Sequence, residues 1–115
     1  PEPMILLDLP GTQPYFRGMF EDHGLRPNVA HTTKSSSVLR GLVAAQFGYA
    51  LMNICGPNDR SGENGYIAKP IAEDLDAPQF GVAYTTASQR SSIVRTVLST
   101  CRDIAGNGEF DPLIV

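Results

Sequence analysis

The chain has 115 residues, with nine Lys/Arg against twelve Asp/Glu for a formal net charge of −3, and is 42% hydrophobic and 18% charged. That is the profile of one ordinary globular domain with a modest core. It excludes phosphate-led nucleic-acid binding by this segment, since no Lys/Arg cluster occurs, and it excludes a membrane-spanning helix, since no apolar run approaches about 20 residues.

Met4, Ile5, Leu6 and Leu7 form a continuous apolar run. Continuity rather than alternation predicts a strand buried on both faces, as in a parallel sheet flanked by helices. Asp8, Leu9, Pro10 and Gly11 break it. Thr12 or Gln13 then caps a helix with Pro14 at its first position. Tyr15, Phe16, Met19 and Phe20 supply the apolar stripe, and Gly24 supplies a left-handed stop. A second strand is expected over 28–32, with Val29 and Ala30 as its apolar part.

The hydroxyl-rich stretch Thr32, Thr33, Lys34, Ser35, Ser36 and Ser37 opens the next helix. Val38, Leu39, Leu42 and Val43 recur on it at helical spacing, Gly48 stops it, and a third strand is expected over 49–54. The β-α-β-α-β order with short links is the pattern of a mostly parallel α/β sheet with right-handed crossovers.

Residues 56–65, polar and glycine-rich, read as an exposed loop. Residues 66–70 alternate and end in Pro70, as an edge strand does. Residues 71–78 carry Glu73, Asp74 and Asp76 in a turn segment. Phe80, Val82 and Tyr84 place one face of a further strand over 80–84. Ser88 is the expected cap of a last helix whose stripe is Ile93, Val94, Val97, Leu98, Cys101 and Ile104, stopped by Gly106, Asn107 and Gly108. Residues 109–115 are a tail.

Parallel α/β sheets bind ligands at the carboxyl ends of their strands, and helix N-termini there favour anions. Thr32, Thr33, Ser35 and Ser36 stand at such a place, as candidates for holding a small anion or as plain helix caps. Gly11 and Thr12 open the other helix at the same edge, and Asn53 follows the third strand. Each has an ordinary turn or cap reading beside the binding one. Hydroxyls at a helix mouth suit carboxylate, sulfate and phosphate alike.

His23 and His31 are the two histidines, and neither has a second ligand at metal-site spacing, so no metal is expected. The two cysteines, Cys55 and Cys101, read as buried thiols of a cytoplasmic protein rather than a disulfide. No Walker loop, Gly-x-Ser-x-Gly or Gly-x-Gly-x-x-Gly occurs, and no cofactor or catalytic residue is expected. Pro1 has no initiator Met ahead of it and no signal-peptide pattern follows, so the chain is expected to be cut from a longer one.

A resemblance rests on several runs taken together. They are the strand Met4-Ile5-Leu6-Leu7, the helix end Phe20-Glu21-Asp22-His23-Gly24-Leu25-Arg26-Pro27, and the run Leu42-Val43-Ala44-Ala45-Gln46-Phe47-Gly48-Tyr49-Ala50-Leu51-Met52. The strand Phe80-Gly81-Val82-Ala83-Tyr84 before an amphipathic helix completes the set. In order and spacing these resemble, over residues 4–104, the distal part of the effector-binding (substrate-binding) domain of LysR-type transcriptional regulators. Family members read Leu-Val-Ala-Ala-Gly-x-Gly-[Ile/Val]-[Ala/Ser]-Leu-[Leu/Val]-Pro over the third run. Here Gln46 replaces a glycine and Asn53 the proline.

The resemblance implies one lobe of a type 2 periplasmic-binding-protein-like fold. Residues 1–78 would be the second lobe. Residues 79–105 would be a hinge strand and a terminal helix returning to a first lobe outside this chain, and residues 106–115 a tail. It implies a non-enzymatic domain that senses a small-molecule effector, forms homo-oligomers, and reaches DNA only through a domain this chain lacks, with no membrane partner. Three other readings stay open at this point. One is the lobe of a transport solute-binding protein. Another is a small α/β enzyme or enzyme fragment using Asp8 or Cys55. The third is an isolated lobe serving only as a dimerisation module.

Overall fold

The computed structural model describes residues 2–72 and 81–113. It builds a three-stranded sheet in the order β2-β1-β3, from β1 (Pro3–Leu7), β2 (Asn28–Thr33) and β3 (Tyr49–Ala50), all parallel. Two helices return the chain between strands, α1 (Thr12–Glu21) and α2 (Ser36–Ala44). A third, α3 (Ser92–Gly106), follows further along. The parallel α/β architecture is the one expected.

The apolar run on β1 is the centre of both cores. Met4 and Leu6 pack with Phe16 of α1, joined by Tyr15, Met19, Phe20, Val29, Tyr49 and Leu51. Ile5 and Leu7 pack with Leu39 of α2, joined by Leu42, Val43, Ala50 and Met52. Alternate residues of one strand thus feed opposite faces, and a helix covers each. Pairing of β1 with β2 slips by one residue between Met4 and Ile5, leaving Ala30 as the bulged residue, and then runs Ile5–His31, Leu6–Thr32, Leu7–Thr33.

The ends of the helices differ from expectation in instructive ways. α1 is preceded not by a side-chain cap from Thr12 or Gln13 but by Gly11, at φ 79. Leu9, Pro10, Gly11 and Thr12 make a turn closed by the Thr12 N–H on the Leu9 carbonyl (3.0 Å). Proline second and a left-handed glycine third suit a type II turn, and that turn displaces Pro14 to the third helical position. Gly24 (φ 66) does stop the chain beyond α1: Leu25 N–H reaches the Phe20 carbonyl (2.8 Å) and Gly24 N–H the Glu21 carbonyl (2.9 Å).

At the end of α2 the same left-handed position is taken by Gln46 (φ 64), with Phe47 N–H on Leu42 O (3.0 Å) and Gln46 N–H on Val43 O (2.9 Å). The helix therefore stops before Gly48, which serves another purpose. At φ 147 a Cβ on Gly48 would lie 2.1 Å from the Pro3 carbonyl oxygen, so this glycine lets the chain enter β3 against the start of β1.

Three expected elements are not formed as drawn. The β3 ladder ends at Ala50 rather than residue 54. Residues 66–70 and 81–84 join no ladder among the described residues, while Gln79 and Phe80, with Glu73, Asp74 and Asp76, lie outside them, as does the 78/79 domain boundary. Ser88 does not cap α3. It closes a short 3-10 turn (Thr86–Arg90) capped by Thr85, and Ser91 precedes α3.

No residue of α3 is buried, and Ile93 is 73% exposed. The radius of gyration is 17.1 Å, against about 13 Å for a compact chain of this length.

Candidate functional site

β1 lies between β2 and β3, so the loops leaving the three strands share one edge. Leu7 pairs with Thr33, and the Asp8 N–H carries the ladder one step further onto the Thr33 carbonyl (2.8 Å). Ile5 pairs with Ala50, so Asn53 stands as far beyond β3's last pair as Asp8 stands beyond Ile5. The chain passes from β1 to β2 and then back across β1 to β3. That reversal is the topological switch point where sheets of order 2-1-3 leave a crevice.

All seven sequence-predicted residues fall at this edge, but on two faces. Paired residues of neighbouring strands share a face. Thr32, paired with Leu6, is therefore on the α1 side, where Gly11 and Thr12 open α1. Thr33, paired with Leu7, is on the α2 side, with Ser35 and Ser36. Asn53 is exposed beyond β3.

Two of the hydroxyls have local structural work. Thr33 Oγ1 accepts from the Ser35 N–H (3.2 Å), and Ser35 Oγ accepts from the Val38 N–H (3.3 Å), making Ser35 the cap of α2. Each bond occupies an acceptor lone pair. A hydroxyl keeps its O–H donor when it accepts, so capping and anion binding are compatible at the same atom. Ser36 and Thr32 are exposed.

The residues that sequence reasoning missed lie next to this edge. Asp59, in the segment read as exposed loop, is only 7% exposed and sits in a 3-10 turn (Pro57–Asp59). Its carboxylate accepts from Arg40 Nε (3.0 Å) and Nη2 (3.2 Å), from the Gly56 N–H (2.7 Å) and from the Tyr66 hydroxyl. The Arg40 and Tyr66 hydrogen bonds hold its carboxyl down to about 2. The same contacts push the Arg40 and Tyr66 pKa values up.

The knot ties α2 to the segment after β3. The only hint of it in sequence is Gly56-Pro57-Asn58-Asp59, a proline-started turn with an acid placed to bond back to the Gly56 N–H.

Cys55 and Cys101 are free thiols. Burial pushes the Cys55 thiol up, which disfavours the thiolate a nucleophile needs. His23 Nδ1 donates to the Met19 carbonyl (2.9 Å), and the His31 ring lies edge-on to Phe47 at 5.6 Å. Among the described residues no group of three or more His, Cys, Asp or Glu side chains is arranged to hold a metal ion. No helix among them is long and apolar enough to cross a membrane.

The family model described as the LysR substrate binding domain matches residues 1–106. The chain belongs to that family. It is similar to the crystal structure of HinK, a LysR family transcriptional regulator from Pseudomonas aeruginosa, with 31% identity and a TM-score of 0.74 over 89% of this chain. It is equally similar to the crystal structure of PA01 protein from the same organism, at 31% identity and a TM-score of 0.75. The chain spans 36% of the length of each. No curated protein sequence matches it. Gln46, one of the departures from the pattern described above, keeps the left-handed backbone that a glycine would adopt freely.

Proposed function

We propose that this chain is the distal lobe of the effector-sensing domain of a LysR-type transcriptional regulator, and that its carboxyl edge forms one wall of the effector cleft. The observation that carries this reading is the pair of helix mouths, Gly11-Thr12 and Thr33-Ser35-Ser36, opening at one edge of a parallel sheet beside its switch point.

The ligand is a small anion, most simply a carboxylate, held by O–H donors and helix N–H groups. Family membership supports a role without turnover, and the raised Cys55 pKa agrees with it. The full protein is a cytoplasmic homo-oligomer that reaches DNA through a domain outside this chain. α3 returns to a first lobe, which would cover the stripe now left open from Ile93 to Ile104.

Effector binding closes the lobes and shifts the balance between assembly states. It can do so only as far as it binds one state more tightly than the other.

The test is a thermal-shift screen of the full-length protein against small carboxylates and phosphate. A ligand present at 100 times its Kd stabilises the native state by about 2.7 kcal/mol, a readily measured shift. Ser36→Ala, which leaves the Ser35 cap intact, should weaken the response at least several-fold while changing the ligand-free melting temperature little. A response unchanged in Ser36→Ala, and again in Thr32→Val, would remove these residues from the site.

A further inference from the structure

The chain holds two Asn-Gly pairs, Asn64-Gly65 and Asn107-Gly108, in different surroundings. Asparagine is a thermolabile side chain, most of all before glycine. The backbone nitrogen of the next residue then reaches the side-chain carbonyl carbon, because glycine has no Cβ to shield that nitrogen and lets the backbone turn freely.

Asn107 is pinned. It is the C-cap of α3, at φ −85 and ψ 0. Its N–H bonds to the Asp103 carbonyl (3.0 Å), the Gly108 N–H to the Ala105 carbonyl (3.2 Å) and the Glu109 N–H to the Ile104 carbonyl (3.2 Å). Attack on the side chain means rotating the Asn107-Gly108 peptide out of the last two of these bonds. The Asp111 carboxylate also stands beside Gly108, where a Cβ would lie 2.7 Å from its Oδ2. A negative charge there disfavours loss of the Gly108 amide proton, on which attack depends.

Asn64 is not pinned. It lies in an exposed turn closed by the Gly65 N–H on the Gly62 carbonyl at 3.3 Å, beyond the usual range of such a bond. The Glu63 N–H reaches Ser61 Oγ at an equally long 3.3 Å. Among the described residues none bonds to the Asn64 side-chain amide. The turn sits inside a closed loop: the Ala68 N–H on the Asp59 carbonyl (2.7 Å) and the Tyr66 hydroxyl on the Asp59 carboxylate fold residues 59–68 back on Asp59.

We propose that Asn64 is a site of spontaneous deamidation, and that its iso-aspartyl product loosens this loop from Asp59. The Gly65 nitrogen gives its proton to water and bonds to Asn64 Cγ. The Cγ–Nδ2 bond breaks, and ammonia leaves with a proton taken from water. Water then opens the cyclic imide at either carbonyl, giving aspartate or iso-aspartate, and nothing is oxidised or reduced. The iso form carries one extra carbon in the backbone, so the loop lengthens just before Tyr66. Both products place a second carboxylate next to Glu63. The chemistry needs no effector and no partner.

The experiment holds the full-length protein at neutral pH over days and maps its peptides by mass spectrometry, with fresh protein as the reference. Asn64 should convert at least several-fold faster than Asn107, with an iso-aspartyl peptide among the products. The Ala68 amide should exchange with solvent faster in the iso-aspartyl fraction than in fresh protein. An Asn64→Gln variant, whose longer side chain closes a less favourable ring, should show no such change on ageing. Conversion of Asn107 as fast as Asn64, or none at Asn64, would overturn the site. An Ala68 amide no faster in the iso-aspartyl fraction, or equally quickened in aged Asn64→Gln, would overturn the effect on the loop.

Discussion

Two amphipathic patterns in this chain meet opposite fates. Those of α1 and α2 close on β1 and bury Phe16 and Leu39 to about 1% exposure. That of α3 is as regular in sequence but buries no residue fully, with Val94, Leu98, Cys101 and Ile104 only half-buried. Fully burying a Leu, Ile, Phe or Met side chain is worth about 1.5–3 kcal/mol each. The sheet half therefore holds most of the stabilisation, and α3 holds a surface that is stabilising only when covered. Helical periodicity identifies a face but not the partner that covers it.

The contrast is broken most severely at Gly48. Gly48→Ala drives a methyl group into the Pro3 carbonyl, backbone against backbone, and should cost about 4 kcal/mol or more in urea unfolding. Leu39→Ala, at the centre of the α2 core, should cost about 3 kcal/mol. Ile93→Ala should be neutral within about 0.5 kcal/mol in residues 1–115 and become costly only in the full-length protein. A neutral Leu39→Ala would mean that the sheet core is not packed as described.

The Asp59 knot lends its stability by pH. The carboxyl titrates at about 2 when folded, below its ordinary value of 3.8, so its contribution is present above about pH 4 and is lost as pH falls towards 2. Asp59→Asn should lower the urea midpoint at pH 5 and flatten that acid limb. An identical slope between pH 4 and 2 would show that the knot does not form.

One modest effect has the opposite sign. Gln46→Gly relieves a left-handed residue and should stabilise by about 1 kcal/mol, measured by thermal denaturation.

What was legible in the sequence was local. The run from Met4 to Leu7 announced a strand buried on both faces, the stripe around Leu39 a covered helix, and Gly24 a left-handed stop, because each depends on near neighbours in the chain. The hydroxyls at the mouth of α2 were equally plain, and the caps made by Thr33 and Ser35 fall within three residues of them.

The rest depended on distance. Arg40 and Asp59 are 19 residues apart, and the turn from Gly56 to Asp59 hints at the bond to the Gly56 N–H but not at Arg40. The alternation over 66–70 reads as a strand, but alternation supplies no partner, and these residues join no ladder among the described residues. At α1, two local rules competed, and the Pro10-Gly11 turn prevailed over the cap expected from Thr12.

The central claim is that the carboxyl edge of this sheet holds a small anionic effector. It is tested most directly by mapping backbone amide shifts in the full-length protein on adding a molecule that raises its melting temperature. The account predicts that the largest shifts fall at Gly11, Thr12, Thr32, Thr33, Ser35, Ser36 and Asn53. Shifts confined to residues outside this edge would contradict it.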